Sequence, residues 1–521
     1  MITTPKNFFN SFSQEVQNAT LVLQKELHVV REENGILKER IALLQQELFG
    51  QKSEKKVLEP PGTQCNFFDL CQEEESEAKA PEIIQVPTHP RKKKRGRKPF
   101  PENLARIEVI HDLSEEEKQC ACGSRLTRMG EETSEQLQYI PAQLQVIQNI
   151  RPKYACQTCQ GVEDSTGNTI KIAPVPAQMI PKSIATPSLL AHIITAKFVD
   201  ALPFYRQEQQ FLRLGIELSR KNMAYWTIKS GSLLEELLHC LQYEIMGSPL
   251  LHIDETTLQV LKEPKRSPTS KSYVWAILGG RGVYFHYSAS RSASVAQKLL
   301  KGYQGVVVSD GYAGYNFLNQ ETGIEHAGCW AHSRRKFIKV IQAKGKQAKR
   351  GNAEIAIEFI RRLYGIEKEI RQSSLSEEEK SRIHQEQSKP ILKEFHQWLL
   401  RLQPTTPPEG LLGKAISYTL NYFDSLCVYA NHSSVPMDNN PVENAIRPFV
   451  LGRKNWLFCS TVEGAIANSR LYSLIETAKM NGWNPLEYLT LLFEKFPLIQ
   501  NKEQLKGLLP QYLNRPTMQS P

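Results

Sequence analysis

Three consecutive segments after Pro249 alternate apolar and polar side chains, and the order of the elements beyond them leaves few folds open. "LLHIDETTLQVL", "SYVWAILGG" and "VYFHYSAS" read as strands, the last two joined at a "GGRG" hairpin turn. "SASVAQKLLKGY" reads as a helix capped by Ser292 or Ser294. "GVVVSDGYAGY" opens as a short, wholly apolar strand and ends in Asp310, and "IEHAGCWAHSRRKF" starts extended and turns helical. The order is three strands, a helix, a strand, a helix or loop, and a strand. The first three are expected to form an antiparallel meander, with the later strands parallel to the first. Most of residues 344 to 425 are helical in pattern, a long insertion with a charged, solvated face.

This order is that of a ribonuclease H-like fold, in which the first strand lies beside the fourth. Asp254 sits near the middle of the first and Asp310 at the end of the fourth. Singly, each reads as a turn cap or loop starter; jointly, the fold brings them together. Two close carboxylates repel unless a cation lies between them, and Mg²⁺ (or Mn²⁺) takes oxygen ligands while keeping positions for phosphate oxygens. A third acid is expected from a later helix, and Glu443 in "MDNNPVENAIRPFVLGRKNWLF" fits, with Arg447, Arg453 and Lys454 close by to hold phosphates. Glu443 also reads as N3 of a capping box, with Asn440 as N-cap and Pro441 at N1. The two roles are compatible.

The chain has 521 residues, too many for one ordinary core, and three or more domains are expected. Its 65 basic and 55 acidic residues give a net charge of +10, which points to a polyanionic partner. Neither a signal peptide nor an 18-residue apolar stretch is present, so a cytoplasmic protein is expected, with its ten cysteines reduced and some of them binding metal. Read in sevens from Thr20, the N-terminus places Thr20, Leu27, Asn34, Ile41 and Leu48 in one core row and Leu23, Val30, Leu37 and Leu44 in the other. Glu26 and Glu33 face Arg31 and Lys38 of a partner helix, and Asn34 favours a parallel dimer in fixed register. The alternative is one amphipathic helix packed on its own protein. An acidic linker rich in Pro and Glu is expected to be disordered. It runs into "RKKKRGRKP", where Arg91, Lys92, Lys93, Lys94, Arg95, Arg97 and Lys98 bind phosphates without reading sequence, or form a solvated tail. Its "RGRKP" resembles an AT-hook, departing from it at Lys98.

Cys120 and Cys122 form C-x-C, and Cys156 and Cys159 form C-x-x-C, 33 residues separating the knuckles. Four thiolates suit a structural, tetrahedral Zn²⁺, with free structural cysteines as the alternative. The intervening "SEQLQYIPAQLQVIQNIRPKYA" alternates as short strands do, giving a zinc-ribbon-like β module. From Ile180 to Met246 the period is helical. A helix, a turn at Gly215 and a second helix capped by Ser219 resemble a helix-turn-helix whose Arg220, Lys221 and Lys229 reach DNA; two packed core helices read equally well.

The expected architecture is therefore multidomain α+β. Residues 1–52 form a coiled coil, 53–90 the acidic linker, 91–104 the AT-hook-like segment, 105–175 the zinc module and 176–246 a helical domain. The ribonuclease H-like α/β core comes next in two parts, 247–343 and 426–475, around the helical insertion 344–425, with a helical tail at 476–521.

Several stretches carry a resemblance to a known family: "LFGQKSEK", "RGRKP", "YIPAQLQVIQNIRPKYAC", "LPFYRQEQQFLRLGIELS", "HIDET", "VVSDGYAGY", "CWAHSRRKF", "DNNPVENAIRPFVLGRKNWLF" and "LIETAKMNGWNPLEYL". They resemble the large, TnpC-type DDE transposase of the insertion-sequence sixty-six family over nearly the whole chain. The resemblance implies a bacterial, nucleoid-associated protein that cleaves the ends of a mobile element and joins them to target DNA. It makes Asp254, Asp310 and Glu443 the catalytic triad and Cys329 and His332 a C-x-x-H signature supporting the active site, and it implies two small companion proteins. His326 extends that signature to H-x-x-C-x-x-H, three ligands for a metal reading. The C-x-C knuckle departs from the family's commoner C-x-x-C. A non-catalytic DNA-binding regulator, an inactive relative and a structure-specific nuclease are the competing readings.

Overall fold

The computed structural model describes residues 5–49, 83–84, 91–92, 144–155, 170–344 and 351–513. Lys93, Lys94, Arg95, Arg97, Lys98 and the four knuckle cysteines, Cys120, Cys122, Cys156 and Cys159, lie outside them, and of Arg91 and Lys92 only the backbone is described. Two compact units are present, one formed by residues 178–513 with 1–74, the other by 75–177 with 514–521. Within the smaller unit, Ile83–Ile84, inside the stretch expected to be a disordered linker, pairs antiparallel with Arg91–Lys92 at the start of the basic segment. Lys153–Ala155 pairs antiparallel with Ile170–Ile172. Residues 144–152, expected as strand, are irregular, and Val146, Ile147 and Ile150 are exposed. Alternation specifies a strand only where one face has something to pack on.

The larger unit is built on a six-stranded mixed sheet. Its strands are β1 (Leu250–Lys262), β2 (Lys271–Gly279), β3 (Gly282–Ser288), β4 (Gly305–Ser309), β5 (Ile324–Gly328) and β6 (Cys459–Thr461). The first five lie in the order β3-β2-β1-β4-β5. β1 to β3 form the expected antiparallel meander, turning at Gly280 with φ of 56°, and β4 and β5 run parallel to β1. β6, which the sequence reading missed, pairs parallel with the far end of β1.

Helices surround this sheet. The first is α1 (Pro5–Phe49). α2 (Pro187–Phe198), α3 (Phe204–Arg213), α4 (Arg220–Leu233) and α5 (Glu235–Met246) precede β1, and α6 (Ala293–Leu299) precedes β4. α7 (Trp330–Lys344), α8 (Asn352–Gln372), α9 (Glu377–Ile383), α10 (Lys389–Leu402), α11 (Leu411–Asn421) and α12 (Phe423–Cys427) come after β5. α13 (Asn440–Trp456), α14 (Val462–Met480), α15 (Pro485–Lys495) and the short α16 (Lys502–Lys506) complete the unit. The expected boundaries at 425 and 475 fall inside α12 and α14.

β4 shows why its sequence is wholly apolar. Val307 enters the core shared with α2, α5, α14 and α15, while Val306 and Val308 enter the core shared with α7, α8, α10 and α12. Burying each such side chain is worth about 1.5–3 kcal/mol relative to exposure. The free edge of β3 is covered by α14, where Thr477 Oγ1 accepts from Val283 N at 3.1 Å and Ser473 Oγ from Phe285 N at 2.8 Å. α3 and α4 flank Gly215, whose φ is 78°, and Ser219 caps α4 by accepting from Asn222 N. α1 lies against α7, and Glu39 Oε2 accepts from Leu411 N at 3.1 Å. Its heptad residues Leu23, Leu27, Val30, Leu37, Ile41 and Leu44 remain exposed in the single chain. No helix among the described residues is long and apolar enough to cross a membrane.

Candidate active site

The parallel register of β1 and β4 pairs His252 with Val308. Asp254 and Asp310 each stand two residues further along, on neighbouring chains about 4.8 Å apart. Asp310 comes directly after the last residue of β4 and opens a tight turn, its Oδ1 accepting from Tyr312 N at 3.0 Å. Gly311 has a specific reason to be glycine: a Cβ there would stand 2.4 Å from the Tyr418 ring, whose helix covers the turn. Asp254 Oδ1 accepts from Glu255 N at 2.8 Å. Burial, then the charges of Glu255, Asp310 and Glu443, push the Asp254 carboxyl well above its usual range.

Glu443 comes from the first turns of α13. That helix begins at Asn440, so Glu443 is its fourth residue, not the third, and the expected capping box is absent. Its carboxylate instead meets α7. Arg335 Nη2 donates to Glu443 Oε1 at 3.0 Å and Oε2 at 2.9 Å, and Arg335 Nη1 donates to His332 Nε2 at 3.0 Å. His332 stands between the acids, with Nε2 3.9 Å from Asp310 Oδ2 and Nδ1 3.7 Å from Glu443 Oε1. Its pKa is lowered, first by burial and then by Arg335, so the ring is neutral at pH 7.

The anchoring of α13 depends on residues that sequence reasoning missed. Asn439 is 1% exposed. Its Nδ2 donates to Ile253 O at 2.9 Å, its Oδ1 accepts from His252 Nδ1 at 2.9 Å, and its backbone N donates to Cys329 Sγ at 3.2 Å. One residue thus joins the stretch just before Asp254 to the start of the Glu443 helix and the start of α7. Burial holds the His252 pKa down to about 4 and pushes the Cys329 thiol up to about 12, so both partners are neutral. Further along, Arg453 Nη1 donates to Thr257 O and to the hydroxyls of Thr256 and Thr257. Expected among the phosphate-binding cations, Arg453 turns inward and fixes α13 to β1. Arg447 and Lys454 are exposed on the same helix, and Arg220 and Lys221 are exposed at the start of α4.

Ligand atoms of Cys329, His332 and Glu443 lie within 4.8 Å of one another. His326, the third member of the H-x-x-C-x-x-H pattern, is engaged elsewhere, 2.8 Å from both Ser309 Oγ and Asn319 Oδ1. Glu255 is a further acid the sequence reading passed over. Arg291 Nε donates to it at 2.7 Å and Tyr315 donates to its other oxygen, so it is paired and only 2% exposed. The family-like motifs contain Glu255, Arg335 and Asn439, and the signal lay in their proximity to the acids.

Comparison with known proteins gives the family. The model described as Transposase IS66 family matches residues 182–467, more than half of the chain. The zinc-finger binding domain of transposase IS66 matches 117–160, which spans all four knuckle cysteines. Transposase C of IS166 homeodomain matches 36–109, and the IS66 C-terminal element matches 473–511. Among curated relatives, the uncharacterized protein y4jD of Sinorhizobium fredii is 32% identical, over 91% of this chain and 94% of its own length. The uncharacterized protein y4qI of the same organism is 31% identical, over 90% of this chain and 87% of its own. The class these matches define is the transposase of an insertion element. Within it, the chain belongs to the IS66 family.

Proposed function

We propose that the protein binds the ends of its element and performs metal-dependent DNA cleavage and strand transfer, with Asp254, Asp310 and Glu443 as the catalytic acids of a ribonuclease H-like core. The observation that carries the reading is the convergence of acids from β1, the end of β4 and the start of α13, with His332 within 3.9 Å of two of them. The donor set fits divalent cations: it is all-oxygen, and burial together with mutual repulsion raises Asp254, as expected of acids awaiting a cation. Two Mg²⁺ or Mn²⁺ ions held by these acids supply activation of a water or 3′-hydroxyl and stabilisation of the leaving oxygen.

The chain's own residues do the rest. Arg453 and Asn439 hold α13 on β1, so that Glu443 faces Asp310 across His332. Arg447 and Lys454 meet backbone phosphates, as do Arg220 and Lys221 on α4 and the basic run at residues 91–98. Cys120, Cys122, Cys156 and Cys159 hold a structural Zn²⁺. The exposed heptad rows of α1 pair with a second copy, which suits a reaction that must hold two DNA ends together. The protein works in the bacterial cytoplasm on nucleoid DNA, alongside two small companion proteins. Asp254→Asn tests the assignment. It is expected to abolish Mg²⁺-dependent cleavage and joining of labelled ends while leaving DNA binding intact; a variant that still joins ends refutes it.

A further inference from the structure

Two arginines approach the acidic site, and they are held differently. Arg291 pairs with Glu255, whose other oxygen is taken by Tyr315 and whose side chain is 2% exposed. The Arg291 guanidinium also lies 3.8 Å from the centre of the Tyr312 ring, and Tyr312 Oη donates to Arg291 O. The Glu255 carboxylate is therefore closed off from solvent and from any further ligand, although Arg291 itself is 42% exposed. Arg335 instead holds both oxygens of Glu443, a carboxylate that the proposed reaction needs for a cation, and the two side chains are 37% and 22% exposed.

Arg335 Nη2 lies across both oxygens, so a guanidinium and a divalent cation compete for them. Both are positive, and at such separations their repulsion in a half-buried site is severe. Loading the site therefore works against the Arg335–Glu443 pair and favours its release. Arg335 lies one turn along α7 from His332, which sits between Asp310 and Glu443. A released guanidinium there stands beside the acids to which a DNA phosphate would be brought, and its planar fork, of which only Nη2 contacts Glu443, is free to meet phosphate with two nitrogens.

We propose that Arg335 is an exchangeable counterion of the active site: it neutralises Glu443 while no cation is bound and transfers to a DNA phosphate when the site is loaded. This rests on the proposed function and adds a residue and a sequence of events to it. In the unloaded protein Arg335 keeps the acids from repelling one another. In the loaded complex it is a positioning residue for the phosphate. The exchange makes cation binding and DNA binding mutually reinforcing, because the phosphate offers the displaced guanidinium a new partner.

The test uses the full chain and Mn²⁺ as the probe, with binding followed by loss of the free Mn²⁺ resonance in the absence of DNA. Arg335→Gln is expected to tighten Mn²⁺ binding roughly tenfold, since the competing cation is gone. At saturating Mn²⁺ it is expected to join ends more slowly and to bind end DNA with a salt-dependence slope smaller by about one. Arg335→Lys, which keeps the charge but not the fork, should fall between the two in Mn²⁺ affinity. Mn²⁺ affinity that is unchanged or weaker in Arg335→Gln overturns the exchange, as does an unaltered salt slope. Arg335→Gln and Arg335→Lys that behave alike in Mn²⁺ affinity also overturn it, by removing the charge dependence. Asp254→Asn separates the two levels. If Asp254→Asn binds Mn²⁺ as tightly as the wild type, the catalytic assignment itself fails; if only the Arg335 variants miss expectation, the assignment stands and the exchange alone falls.

Discussion

Asn439→Ala should show how much of the active-site geometry depends on one buried amide. Asn439 makes two side-chain hydrogen bonds, to Ile253 O and from His252 Nδ1, and is 1% exposed. Truncation removes both and leaves a buried carbonyl and a buried imidazole N–H without partners. Each orphaned group costs about 1–3 kcal/mol, so the pair gives a loss of roughly 2–6 kcal/mol. The loop ahead of α13 keeps its backbone ties, Trp330 N to Met437 O at 2.9 Å and residue 439 N to Cys329 Sγ at 3.2 Å, so α13 should loosen without detaching. The assay is urea unfolding of the full chain at pH 7, followed by tryptophan fluorescence, for Asn439→Ala, His252→Phe and the double variant. His252→Phe removes the ring N–H that Asn439 satisfies, so the double variant should lose at least ~1 kcal/mol less than the two singles together. The same loosening should weaken Mn²⁺ binding, because Glu443 lies four residues past Asn439. A single variant within about 0.5 kcal/mol of wild type, or strictly additive costs, refutes the view that Asn439 ties β1 to α13.

Two more outcomes are expected, one at the same site and one in the helical region before it. Burial and neighbouring charges raise the Asp254 pKa, so the folded state holds that proton more tightly than the unfolded chain does. The resulting stability is fully present below the unfolded value near 3.8 and is lost as pH rises through the folded pKa. Without divalent cations, Asp254→Asn should therefore melt above wild type at pH 8 and converge with it in acid; a variant that melts lower at every pH contradicts this. Replacing Arg220 or Lys221 by Ala should weaken binding to end DNA and reduce the salt slope by about one each, as for a lost phosphate contact. Slopes equal to wild type in both variants would assign the start of α4 to packing alone.

The parts of this molecule legible in its sequence are those specified by local period. Alternation in β1 to β3 and the wholly apolar β4 identified the strand order, because a strand covered on one face and a strand covered on both must differ in pattern. The turn at Gly215 and the cap at Ser219 were legible because each rests on backbone chemistry within a few residues. The same logic failed at residues 144–152, where alternation has nothing to pack on, and at β6, whose three residues carry no period. The proposed acids were singled out because a topology predicts which strand ends meet. Their supports were not, because each is a long-range event. Asn439 reaches back 187 residues to His252, and Arg335 meets Glu443 across 108. Charge alone likewise could not separate Arg453, spent on the threonines of β1, from Arg447 and Lys454, which face solvent. Three cations on one helix look alike until the partner strand is in place, and then helix phase decides: Arg453 falls on the buried stripe of Ile446, Phe449 and Trp456, while Arg447 and Lys454 lie on the outer side. A sequence reading can therefore name candidate groups for chemistry, whereas the groups that hold them in place become visible only when the chain has closed on itself.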